Sequence, residues 1–310
     1  MKLNKPKYWN KKYSFISILL VPFTLLVLLV IFIKKKITKE IKFTVPIICI
    51  GNIYIGGTGK TPTSILLAKD LLKFGKNPAI LRKFYKSHID EHNLIKKKFR
   101  NLILCQNRAD GVRNAEQKNY DSVILDDGFQ DYKIKKDLNI LCFNQRQLVG
   151  NGLVFPSGPL RERLSSLKTA HIILINGNKD FEFEQKILNI NKNLEIFYST
   201  YKPMNLEKLK DKKLLAIAGI GNPDNFFQLM IENGLDIKER LIFPDHYEFT
   251  EVEIQNIKKE AKNKNYQIIM TEKDYFKIKD FNNDGIEYLK VSLEISGKER
   301  LVKKIVDLYD

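Results

Sequence analysis

The sequence predicts an α/β fold: a mostly parallel sheet flanked by helices, a second and smaller α/β domain, and an apolar helix at the N-terminus. Three observations predict it. Short apolar runs alternate with helical stretches from Pro46 onward, the pattern of a parallel sheet covered by helices. The first of these runs breaks into glycines within Val45–Thr61, VPIICIGNIYIGGTGKT. Ahead of both, Ser14–Ile33 holds 20 residues without a charge.

Segment 1–40 reads as a membrane-associated helix. Its apolar run, SFISILLVPFTLLVLLVIFI, is long enough to cross the hydrocarbon core of a bilayer. Lys11 and Lys12 precede it and Lys34, Lys35 and Lys36 follow. A cleavable signal would have a shorter apolar region and a small-residue cleavage site, where this chain has lysines. Basic residues at both ends blur the positive-inside rule, and Pro22 is placed to kink the segment. A spanning helix and one lying in the interface both remain open. Either suits contact with an anionic membrane surface.

Segment 41–178 reads as the core domain. The strand Pro46–Ile50 leads through Gly59-Lys60-Thr61 into a helix at Pro62–Leu72, the layout of a phosphate-binding loop. In such a loop the backbone N–H groups of Gly56, Gly57, Thr58 and Gly59 close around a polyphosphate. Lys60 reaches the outer phosphates, the Thr61 hydroxyl ligates Mg²⁺, and the helix adds its N-terminal dipole. The fold is therefore P-loop NTPase-like, and the globular part faces the cytoplasm, where nucleotide is found. The strict G-x-x-x-x-G-K-[ST] pattern asks for glycine where Tyr54 stands. The bland alternative is a glycine-rich turn with a chance lysine, and the flanking strand and helix argue against it.

Farther on, Gly75 ends the helix and Pro78–Leu81 reads as a strand. A polar stretch, Arg82–Arg100, separates it from a strand at Leu102–Cys105. A helix at Gly111–Asn119 and strands at Ser122–Leu125, Leu138–Phe143 and His171–Ile175 complete the core. Asn176–Asn193 is charged and reads as a linker or a peripheral ribbon. Segment 179–296 is the smaller α/β domain, with strands at Lys213–Ala218 and Gln267–Met270 and a helix from Pro223. The last helix, within 297–310, is free to return to the core domain.

Lysine and arginine number 53 against 36 acidic residues, for a net charge of +17. That excess favours anionic partners, although lysines spread along the whole chain also fit a lysine-biased proteome. No clustered basic-aromatic motif marks a nucleic-acid binder. Cys49, Cys105 and Cys142 stand far apart in apolar runs without C-x-x-C spacing, which disfavours zinc and redox chemistry.

Asp126-Asp127 ends the strand SVIL, where a P-loop protein places the carboxylate that holds Mg²⁺ or its water. An Asp-Asp-Gly turn is the alternative. Asn151–Arg163, NGLVFPSGPLRER, presents Arg161 and Arg163 from a loop stiffened by prolines, as phosphate clamps or as solvated charges. FPDHY sets Asp245 beside His246, a proton acceptor and partner or a polar loop. Asp90-Glu91 lies between His88 and His92, a base or metal cluster or, on the residues alone, a solvated loop. Gly219-Ile220-Gly221 is weak evidence for a dinucleotide site, since Asn222-Pro223 reads as a helix start. Thr271-Glu272-Lys273-Asp274 has the T-x-x-D form of a capping box.

Taken in order, VPIICIGNIYIGGTGKTP, DDGFQDYKIKKDLNIL, GNGLVFPSGPLRERLSSLKTAH, AIAGIGNPDNFF, FPDHYEFT and IIMTEKD resemble the tetraacyldisaccharide 4′-kinases of lipid A biosynthesis. That family's loop also lacks the first glycine. The resemblance implies an enzyme on the cytoplasmic face of the inner membrane. It would move the γ-phosphate of ATP to the 4′-hydroxyl of a tetraacyldisaccharide 1-phosphate, giving lipid IVA. It implies ATP on Gly56–Thr61, Lys60 and Arg161 at the phosphates, and Asp126 and Asp127 as the paired acids. Thr61, Asp127, Gln130 and Glu162 would organise Mg²⁺. His246 would cooperate with an aspartate, matched here by Asp90, to accept the hydroxyl proton; Arg82 matches a loop arginine. The family's longer glycine-rich loop is replaced here by LRKFYKSHIDEHNLI. The competing expectation is a membrane-associated P-loop NTPase that serves a protein partner and has no lipid acceptor. Oligomeric state has no signature in the sequence.

Overall fold

A strand with no polar face needs cover on both sides. Ile47–Gly51 (β1) is such a strand, buried at every position, and it lies inside an eight-stranded sheet. The structure, a computed structural model, describes residues 6–245 and 247–309, without the side chains of Ser87 and Asp90. The described chain divides into two compact units. The larger comprises 6–84, Lys98–Thr200 and 294–309; the smaller comprises Tyr85–Lys97 and Tyr201–Leu293.

In the larger unit, helices α1 (Phe15–Leu19) and α2 (Val21–Ile37) precede β1. Then come α3 (Lys60–Lys73) and β2 (Pro78–Lys83). Beyond α4 (Ile89–Lys98), which falls almost wholly in the smaller unit, the chain returns through β3 (Leu102–Cys105), α5 (Arg108–Gln117) and β4 (Ser122–Asp126). Next are β5 (Leu138–Asn144), β6 (Ile172–Asn176), α6 (Phe181–Leu188) and β7 (Glu195–Pro203). The sheet order, completed by a late strand β12 (Val291–Ile295), is β12-β7-β6-β5-β1-β4-β2-β3. β1 is parallel to both neighbours, β4 and β5. The strand register gathers the functional residues. Ile50 of β1 and Arg82 of β2 both lie abreast of Asp126 on β4, so three chain segments end side by side at one edge. In open parallel sheets that carboxyl edge is where ligands bind. The core beneath joins Ile53, Leu81, Leu125 and Phe143 to Phe183 and Ile187 of α6.

Pro22 sits in the first turn of α2, where its missing N–H breaks no helical bond, and the chain is interrupted at Leu20. The apolar run is therefore two helices. Among the described residues no helix is long and apolar enough to cross a membrane. The inward side of the pair carries two buried polar residues, Ser17 and Thr24. Thr24 Oγ1 bonds Ser157 Oγ (2.8 Å) and Val154 O (3.1 Å), and Asn151 Nδ2 donates to Ser17 Oγ (3.2 Å). Val27 and Leu28 pack on the core, while Phe15, Ile18, Leu19, Phe23, Leu26 and Val30 stay exposed.

The smaller unit holds β8 (Lys213–Ala218), α7 (Pro223–Glu232), β9 (Asp236–Ile242) and α8 (Glu251–Asn263). β10 (Gln267–Thr271), the one-turn α9 (Glu272–Tyr275) and β11 (Ile286–Leu289) follow. The parallel sheet runs β11-β10-β8-β9. α10 (Lys298–Val306) belongs to the larger unit, where Lys298 pairs with Asp70 of α3 at 3.1 Å. Two stretches differ from their sequence reading. Asn176–Asn193 contains α6, whose Phe183 and Ile187 are buried, with Asp180 capping it. The Asp90-Glu91 region is helix α4, not a solvated loop, and His92 within it is only 4% exposed. In both stretches polar and charged residues outnumber apolar ones, so a narrow buried face is masked in the pattern.

Candidate active site

The loop after β1 is built around Asn52. Its Nδ2 donates to Tyr54 O (2.7 Å), Thr58 Oγ1 (3.0 Å) and Gly56 O (3.3 Å), so one buried amide draws the loop into a closed turn. Tyr54 pairs as an antiparallel bridge with Leu160. Ile55 N donates to Pro159 O (2.8 Å) and Arg161 N to Ile53 O (2.7 Å), which makes a short ribbon. Extended backbone at Tyr54 needs no glycine. The positive φ angles fall instead on Gly56 (135°) and Gly59 (88°), where a side chain would be strained. Gly59 leads into α3, and among the described residues no side chain caps that helix's first turn. Its N–H groups and dipole form an anion site of the kind phosphates occupy.

At the sheet edge, Asp126 is fully buried and takes donors from three residues. Thr61 Oγ1 donates at 3.0 Å, Ser64 Oγ at 3.3 Å, and Arg82 forms an ion pair. Arg82 Nη1 also reaches Thr61 Oγ1 at 2.9 Å. Saturated in this way, Asp126 orients the Thr61 hydroxyl. Asp127, the next residue, adopts φ +61°, which aspartate tolerates better than most residues. The left-handed turn and the ion-pairing carboxylate are one feature here. Asp127 Oδ1 lies 2.8 Å from Arg161 Nη1 and 3.7 Å from Lys60 Nζ. Burial pushes its carboxyl up, but the charges of Lys60 and Arg161, the Arg161 hydrogen bond and the Arg108 charge outweigh burial and hold it well below the usual carboxylate range. Its ion pairs are thus intact above that range and are lost only as pH falls through the lowered value.

Gln130 Nε2 donates to Asn52 O (2.9 Å), and its Oε1 accepts from Arg161 (3.3 Å). Arg108 Nη2 donates to Asp127 O (2.7 Å). Glu162 is 2% exposed and pairs with Lys35 of α2, while its Oε1 is buried without a hydrogen-bond partner among the described residues. Glu162 also faces the Tyr132 phenol, whose pKa is pushed up by burial and by the Glu162 charge. Lys60, Asp127, Arg161 and Gln130 therefore form one cluster, and Thr61, Asp126 and Arg82 another beside it. Asn52 and Lys35 lie in stretches that the sequence marks, the loop and the basic run, but nothing in their spacing assigns them these contacts, and Arg108 carries no signal in the sequence. Burial pushes the thiols of Cys49 and Cys142 up to about 12 and that of Cys105 to about 11, so all three are neutral thiols at pH 7.

In the smaller unit, Thr271 caps α9 by accepting from Asp274 N (3.1 Å), as T-x-x-D predicts. Asp274 Oδ2 accepts from Gly219 N (2.7 Å), so the G-x-G amide is already engaged by protein. Asn222 and Pro223 open α7, although the Asn222 side chain makes no cap bond. Lys273 Nζ lies 3.0 Å from Glu91 Oε1 and 3.2 Å from Asp245 Oδ1. His246 and the Asp90 side chain lie outside the described residues.

The fold and the loop cluster define a P-loop nucleotide-binding protein. A family model described as tetraacyldisaccharide-1-P 4′-kinase, LpxK, matches residues 16–309, and the chain belongs to that family. It is 40% identical to the tetraacyldisaccharide 4′-kinase of Pelagibacter ubique over 100% of this chain and 99% of that protein. The Rickettsia felis protein of the same description is 31% identical over 98% of this chain and 97% of its own length. The fold is similar to a crystal structure described as the "apo" form of LpxK from Aquifex aeolicus in complex with ATP. That match has a TM-score of 0.72 and 25% identity, and covers 95% of this chain and 100% of the other.

Asn52→Ala removes an amide whose two N–H hydrogens serve three acceptors that close the loop, a loss of about 1 kcal/mol net per full bond. Part of that loss falls on loop order, so ATP affinity should drop about tenfold by calorimetry, with a fall of about a few degrees in melting temperature.

Proposed function

We propose that this protein transfers the γ-phosphoryl group of ATP to the 4′-hydroxyl of a tetraacyldisaccharide 1-phosphate, giving the 4′-phosphorylated lipid A precursor. The observation that carries the reading is the convergence of Lys60 and Arg161 on Asp127, beside an uncapped helix N-terminus, in a chain of the 4′-kinase family. Phosphoryl transfer asks the protein mainly for position and positive charge. The N–H groups of the loop hold the polyphosphate. Lys60 and Arg161 neutralise charge that builds on the transferring group and on the ADP oxygen it leaves.

The oxygen donors of Thr61, Asp127, Gln130 and Glu162 suit Mg²⁺, and the orphaned buried Glu162 Oε1 is an oxygen acceptor of that type. Among the described residues no group of three or more His, Cys, Asp or Glu side chains is assembled. Held by these residues, Mg²⁺ would supply positive charge that offsets that of the phosphates. Asp126 contributes by aiming Thr61. Asp90, helped by His246, takes the proton of the sugar hydroxyl as its oxygen bonds to phosphorus. The apolar outer side of α1 and α2 lies in the inner membrane from the cytoplasmic face, and Lys34 and Lys36 meet anionic headgroups.

Lys60→Ala should lower transfer of labelled γ-phosphate to the lipid by about a hundredfold or more, the scale of losing one charge-stabilising donor. Transfer at the wild-type rate would remove Lys60 from the mechanism. Changing Leu19, Leu26 and Val30 together to serine removes about 1 kcal/mol of apolar burial per residue at half coverage. Flotation with phosphatidylglycerol vesicles should show binding weakened by at least about tenfold, with the KM for ATP unchanged. Unchanged flotation would refute the membrane role of this face.

A further inference from the structure

Lys273 is a well-anchored cation of the smaller unit. Its side chain is 15% exposed and its ammonium bridges two carboxylates, Glu91 at 3.0 Å and Asp245 at 3.2 Å. These partners come from α4 and from the FPDHY loop, 182 and 28 residues away in the chain. The backbone beneath Lys273 is fixed on both sides. Thr271 caps the turn, and the fully buried Asp274 bonds Gly219 N, Thr271 Oγ1 and Lys277 Nζ, each at 2.7 Å. Lys273 is thus a charged post on a rigid base, holding two segments that would otherwise bring like charges together.

What it holds gives the contact meaning. Glu91 follows Asp90 directly, and Asp245 directly precedes His246. One ammonium therefore pins the chain neighbours of both groups assigned to the proton transfer. Lysine suits the place because its three N–H donors radiate from a single point and can serve carboxylates that arrive from different directions, whereas the planar guanidinium of arginine favours one bidentate partner. His88 Nδ1 lies 3.9 Å from Glu91, and the Lys277–Asp274 pair stands one turn along the chain from Lys273.

We infer that Lys273 is a positioning residue for the transfer step: it sets α4 and the FPDHY loop in the register that lets Asp90 and His246 act together. This rests on the assignment of Asp90 as proton acceptor. If Lys273 works through Asp90, its loss should matter only where Asp90 is present, a coupling that a double-mutant cycle measures.

The test uses the full chain with ATP and tetraacyldisaccharide 1-phosphate, in the wild type, Lys273→Met, Asp90→Asn and the double variant. Lys273→Met should lower kcat about tenfold or more in the wild-type background and less than about twofold in the Asp90→Asn background. ATP affinity should stay within about twofold throughout. Losses that multiply across the two backgrounds, or a parallel loss of ATP affinity, would show a general structural role and overturn the inference. If Lys273→Met fails to fold, Glu91→Gln, which releases one arm of the bridge, should show the same dependence on background. Full kcat in Asp90→Asn would overturn the proton-acceptor assignment itself, and the inference with it, whereas a large Asp90→Asn effect with an inert Lys273→Met would overturn the inference alone.

Discussion

The carboxylate of Asp127 is the contact on which the phosphate site depends. It holds Lys60 from the start of α3 and Arg161 from the loop after the Phe155–Pro156 turn, so three distant segments meet at one atom group. That meeting requires β4 to lie beside β1, with Asp126 abreast of Ile50, so that the chain leaving β4 turns over the phosphate loop. It also requires the ribbon between Ile53–Ile55 and Pro159–Arg161, which brings Arg161 to the loop by backbone bonds before any side chain acts. The two cations would repel each other without the carboxylate between them. Its lowered pKa is the electrostatic trace of that arrangement.

Much of this arrangement is legible in the sequence for a physical reason. Strands buried on both faces, such as Ile47–Gly51 and Ser122–Asp126, are so rich in apolar residues that their composition marks them. The phosphate loop is legible too, because few structures other than a tight anion-binding turn want glycines before Gly59-Lys60-Thr61. Tyr54 looks like a defect only when the loop is read as an isolated string. Its bridge to Leu160 shows that the position is extended, and the conformational demand falls on Gly56 and Gly59.

Other parts are hidden because they depend on partners far away in the chain. β9 alternates exposed and half-buried positions and contains Lys238, Glu239 and Arg240, so its sequence looks like a solvated loop. α4 shows the same camouflage. Asn52 is a single polar residue at a strand end, and its three bonds exist only once the loop has closed. The N-terminal run illustrates the opposite case. Its hydrophobicity is plain, but the break at Leu20 and the inward placement of Ser17 and Thr24 go with bonds to Asn151, Val154 and Ser157, more than a hundred residues away.

The family match makes the activity transfer to a lipid sugar, and hydrolysis is the outcome that would oppose it. Phosphorus NMR of a reaction with ATP, Mg²⁺ and tetraacyldisaccharide 1-phosphate distinguishes the two outcomes in a single spectrum. Transfer gives a second phosphomonoester resonance on the lipid, growing in step with ADP and coupled to the proton at the 4′ carbon. Release of inorganic phosphate from ATP, with the lipid keeping its single phosphate resonance, would contradict the kinase assignment.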